Sequence, residues 1–80
     1  MILKMTRGHV RLKFRDRTVT VWGEAYMRGF GSPDFVAYRN SVQQWDPPDE
    51  NEVIDEITRE QILAQLKADF AERKWSIEIE

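Results

Sequence analysis

From His9 to Arg15 the side chains alternate without a break, Val10, Leu12 and Phe14 on one side and Arg11, Lys13 and Arg15 on the other. A period of two belongs to an extended chain with one face buried, so this segment has to join a sheet. Residues 18–26 repeat the pattern, with Val19, Val21 and Ala25 opposite Thr18, Thr20, Trp22, Glu24 and Tyr26. The short link Arg15-Asp16-Arg17 makes the pair a hairpin. An earlier strand over residues 2–5, set off by the turn Thr6-Arg7-Gly8, extends it to a meander. After Gly29-Phe30-Gly31-Ser32-Pro33, a further extended segment runs from Asp34 to Arg39. The lone Gly29-x-Gly31 reads as a plain turn, because a phosphate loop needs a helix after it.

The strongest helical signal follows. Thr58 with Gln61 three residues on reads as a capping box, and Ile57 and Ile62 occupy the staple positions. The helix is expected over about 59–73, with Ile62, Leu63, Leu66 and Phe70 as one apolar stripe. Arg73 and Lys74 suit its C-terminal end. Trp75, Ile77 and Ile79 then alternate with Ser76, Glu78 and Glu80 as a last strand. The expectation is a single α+β domain over residues 1–80, an antiparallel sheet in the order β-β-β-β-α-β with one helix on one face. A single helix covers one face only, and the other is left to solvent or to a partner.

Charge divides unevenly. Residues 1–45 hold eight cations against three anions, and residues 46–80 hold four against eleven, or +5 and −7. From Asp46 to Glu60 seven carboxylates face the single cation Arg59. This run opens with Trp45-Asp46-Pro47-Pro48, whose prolines fix φ and remove two backbone donors, so a shaped, extended loop is expected. Trp45 and the prolines serve as an anchor for the chain entering the helix. The carboxylates between that anchor and the helix have no structural task evident from sequence, and an acidic loop of restricted shape suits a basic partner surface.

Other chemistry finds little footing. Cysteine is absent, so there is no disulfide and no thiolate metal site. His9 is the only histidine and has no marked nucleophile or orienting partner, and the acidic run lacks calcium-loop spacing. No catalytic, cofactor or metal residue is assigned, and the chain does not read as an enzyme. No apolar run approaches membrane length, and the expectation is a soluble, cytoplasmic protein. Arg11, Lys13 and Arg15 beside Trp22 have the general look of a single-strand nucleic-acid surface. Pairing of those cations with Glu24 or Glu78 explains the same composition, and the −7 half would repel phosphate.

Several of these stretches together resemble a known family. Gly23-Glu24 ending a hairpin, the strand Phe35-Val36-Ala37-Tyr38, Trp45-Asp46-Pro47-Pro48, Thr58-x-x-Gln61-Ile62 and the closing Ile77-Glu78-Ile79 are similar to small immunity proteins of bacterial polymorphic-toxin systems. The resemblance covers most of the chain from about residue 10. It implies a binding role, neutralising a toxin domain, and assigns no catalytic residue. The expected contacts are Asp46, Asp49, Glu50, Glu52, Asp55 and Glu56, with Trp22 and Tyr26 on the open face as secondary ones. The partner is then a cognate toxin domain, and the chain itself a monomer or weak homodimer formed through the open face or an unpaired edge strand. A nucleic-acid module and a homodimeric interaction module are the alternatives.

Overall fold

A computed structural model describes residues 1–26 and 31–80. Its strands are β1 (Ile2–Met5), β2 (His9–Phe14), β3 (Arg17–Ala25), β4 (Phe35–Ala37) and β5 (Ile77–Ile79), with one helix, α1 (Glu56–Glu72), between β4 and β5. A 3₁₀ turn spans Arg39–Ser41. The five strands form one sheet in sequence order. The α+β expectation and its order of elements therefore hold. The sheet is antiparallel except for its last pair, β4 and β5, which run parallel. A parallel pair needs a long crossover, and the stretch carrying α1 supplies it.

β3 is the longest strand because it serves two neighbours. Arg17 to Trp22 pair with β2, and Gly23 to Ala25 pair with β4. Gly23 sits where the two pairings meet. A Cβ there would lie 2.0 Å from the Val36 carbonyl oxygen and 2.6 Å from the Phe35 ring, so only glycine lets β4 approach this closely.

One core lies between the sheet and α1. Val10, Leu12, Phe14, Val19, Val21, Phe35 and Ala37 face Ile62, Leu63, Leu66 and Phe70, the stripe expected from the helical spacing. Val42, Trp45 and Ile54 join this core from the connection between β4 and α1. That connection is thus part of the packed structure.

The helix ends differ from expectation at one end and agree at the other. α1 begins three residues early: Asp55 is its N-cap, and the Asp55 carboxylate accepts the Thr58 amide at 2.7 Å. Thr58 takes the third helical position, and Ile57 stands 73% exposed, so it staples nothing. The buried Ile54 immediately before the cap decides the entry point. At the C-terminal end Lys74 adopts φ 58°, the Lys74 amide donates to the Ala71 carbonyl and the Trp75 amide to the Phe70 carbonyl. This pair of bonds is a Schellman closure, and Trp75 packs edge-on against Phe70 with it. Gly31 has φ +73°, as suits a turn, while Gly29 of the Gly29-x-Gly31 pair lies outside the described residues.

Candidate protein-binding surface

The acidic segment is folded back on itself, contrary to the extended loop expected from its prolines. Gln44 and Val53 form an isolated bridge, the Ile54 amide donates to the Gln43 carbonyl, and two turns are closed by Asp49 to Asp46 and Glu52 to Asp49 amide–carbonyl bonds. The Pro47–Pro48 peptide is cis. Trp45 anchors the base, buried against Phe14 at 6.2 Å between ring centroids, with the Arg17 guanidinium 5.4 Å above its ring.

Three of the six loop carboxylates have tasks within the fold, which corrects the view that they are structurally idle. Asp46 is the most engaged. Its carboxylate accepts from Thr20 Oγ1 at 2.9 and 3.1 Å and from Arg11 Nε at 3.2 Å, and its own amide donates to the Thr18 carbonyl. These contacts pin the loop across the open face of β2 and β3. Glu52 pairs with Arg17, the cation already lying over Trp45. Asp55 caps α1, and the bonds from Thr58 hold its carboxyl below the usual range. Glu60, one turn into the helix, is likewise paired, with Arg39.

Glu50 and Glu56 are exposed and form no ion pair with a described residue, and Asp49 is half-buried. Between and beside them stand Val53 and Ile57, 76% and 73% exposed. Over this short stretch exposed aliphatic side chains thus alternate in sequence with carboxylates that pair with no described residue. An apolar centre with a charged rim is how protein–protein contact surfaces are organised.

The second candidate region is the sheet face turned away from α1. Strand register places its side chains in rows. Trp22, Tyr38 and Glu80 share one, Glu24, Val36 and Glu78 the next, and Tyr26, Asp34 and Ser76 the last. Trp22, Tyr26 and Tyr38 are exposed, while Val36 is buried beneath its neighbours. The Tyr26 hydroxyl donates to Glu24 at 3.2 Å, and this bond with the surrounding negative charge raises its pKa. Glu24 and Glu78 make no ion pair with the β2 cations among the described residues. Trp22 and Tyr26 lie on this face as expected, and Tyr38, Glu78 and Glu80, not expected among its contacts, share it. The alternation of Phe35 and Ala37 with Val36 and Tyr38 was the available signal.

The basic strip of β2 does not assemble as a phosphate-binding surface requires. Arg11 is neutralised by Asp46, and Arg15 reaches to the helix, donating to Gln61 at 3.1 Å while lying over Phe14. His9 closes a turn through Thr6 Oγ1, 3.0 Å from its Nδ1, and its ring lies 5.0 Å from that of Trp22. No group of three or more potential metal ligands occurs among the described residues. Among these residues no helix is long and apolar enough to cross a membrane.

No curated protein and no solved structure matches the chain. The family model described as Immunity protein 74 matches residues 2–80, nearly the whole of it. The chain belongs to the Immunity protein 74 family.

Proposed function

We propose that this protein is a cytoplasmic immunity protein that binds a cognate bacterial toxin domain of a polymorphic-toxin system and neutralises it by covering its active surface. The reading rests on family membership, and the observation that carries it to a surface is the exposure of Glu50, Val53, Glu56 and Ile57 along the acidic loop and helix start. There Glu50 and Glu56 pair with no described residue and neighbour exposed Val53 and Ile57 in sequence, on a backbone held by the Gln44–Val53 bridge. Carboxylates on a preorganised loop speed encounter with a basic surface, and the aliphatic pair supplies the desolvated centre that gives a complex its lifetime. In this reading Asp49, Glu50, Glu52 and Glu56 face the partner. Asp46 and Asp55 hold the loop in shape from behind, and Trp22 and Tyr26 make secondary contacts on the sheet face.

The test is to find a toxin-bearing protein encoded beside this chain and to titrate its toxin domain calorimetrically. The double reversal Glu50→Lys with Glu56→Lys is expected to weaken binding at least about tenfold, with circular dichroism and melting unchanged. Unchanged affinity in a folded variant removes the loop from the interface. A genomic neighbourhood with no toxin-bearing protein counts against the immunity reading itself.

A further inference from the structure

Among the described residues, the sheet face of β3, β4 and β5 holds rings and carboxylates but none of the guanidiniums that this chain elsewhere places on its rings. Arg15 lies over Phe14, Arg17 over Trp45 and Arg73 over Trp75, at 4.9, 5.4 and 5.7 Å from the ring centroids. At Trp45 the arrangement is complete, since Arg17 also pairs with Glu52. On the open face Trp22, Tyr26 and Tyr38 are 53%, 43% and 42% exposed, with Glu24, Glu78 and Glu80 set among them in the rows given by strand register. No described lysine or arginine occupies a position in those rows.

We propose that this face docks an arginine-bearing segment of a protein partner, with guanidiniums lying on Trp22, Tyr26 or Tyr38 and pairing with Glu24, Glu78 or Glu80. A ring quadrupole attracts a cation over its face, and a neighbouring carboxylate adds a charge-assisted hydrogen bond. Arginine fits better than lysine because its planar fork can stack and pair at once. Charge complementarity selects the occupant. A second copy of the chain, related by a two-fold axis, would set these carboxylates against themselves. Nucleic acid would bring phosphate to a negative surface. The inference rests on the binding reading above only in taking the partner to be a protein.

The experiment is a titration of the full ¹⁵N-labelled chain with a synthetic peptide alternating arginine and glycine, followed by amide and indole chemical shifts. A peptide of the same length with citrulline for arginine is the uncharged control. The expected result is a saturable shift of the Trp22 indole and of amides at 22–26, 36–38 and 78–80, weakening as salt is raised. The citrulline peptide should leave these signals in place. Glu24→Gln with Glu80→Gln should weaken peptide binding at least about fivefold. Shifts centred on residues 49–57, equal binding of the citrulline peptide, or no shift at all overturn the proposal. So does concentration-dependent self-association through these residues, or their saturation by oligothymidylate. Because no toxin domain is present, failure here leaves the loop reading standing, and loss of toxin binding in loop variants leaves the peptide result untouched.

Discussion

Trp45 and Trp22 stand on opposite sides of the same sheet, each with an acidic neighbourhood. Trp45 is 7% exposed, stacked on Phe14 under an arginine whose own charge is met by Glu52. Trp22 is 53% exposed, its ring flanked by His9. Around the first, carboxylates are largely consumed by the fold. Around the second they are left to whatever approaches. The same residue types are therefore taken up by the architecture in one place and left exposed in the other, and the difference lies in what each side chain touches.

The widest test of that contrast is to truncate each tryptophan. Trp45→Ala removes a buried ring from the core and is expected to cost about 3–5 kcal/mol in urea unfolding. Trp22→Ala, at the exposed position, should cost less than about 1 kcal/mol. Similar losses for both would erase the distinction. A finer version compares two loop carboxylates. Asp46→Ala strands the Thr20 hydroxyl and Arg11, and a loss of about 1–3 kcal/mol is expected. Glu50→Ala should stay within about 0.5 kcal/mol of the parent, since no described residue depends on it. If Glu50 proved the more costly of the two, the division of the loop into inward and outward carboxylates would be wrong.

The subtlest test is the pH dependence at Asp55. Its folded pKa lies below the ordinary carboxylate value, so its contribution is complete above the unfolded pKa and is lost as pH falls through the depressed one. Asp55→Ala should lower the urea midpoint near neutral pH, and the gap to the parent should close on acidification. Asp55→Asn, which keeps an acceptor for the Thr58 amide, should lose less. A gap that widens toward acid pH would mean that the cap bond is not the source of its stabilisation.

Much of the fold was legible because it is written in local periodicity. The alternation of Val10, Leu12 and Phe14, and the spacing of Ile62, Leu63, Leu66 and Phe70, both name the buried side without tertiary information. The helix start was not legible for a specific reason. Asp55 with Thr58, and Thr58 with Gln61, present capping chemistry in two registers three residues apart. The burial of Ile54, a contact distant in sequence, selects the first. Asp46 illustrates the same limit within the candidate surface. Its partners Thr20 and Arg11 lie 26 and 35 residues away, so a carboxylate that looked idle in sequence is a clasp in the fold. Tyr38 differs, since its place on the open face follows from strand parity alone, opposite Phe35 and Ala37.

The division of β3 between two neighbours also bears on how the molecule assembles. β1, β2 and the first part of β3 join through tight turns and can form early, because their contacts close short loops. β5 has to wait for α1 to be placed before it can reach β4. Glu78 and Glu80, the outermost charges of the open face, thus belong to the stretch of chain with the longest loop to close. A face whose last strand arrives last is also the one that local opening can most readily take apart, so the partner affinity proposed for it would depend on the opening free energy of β5.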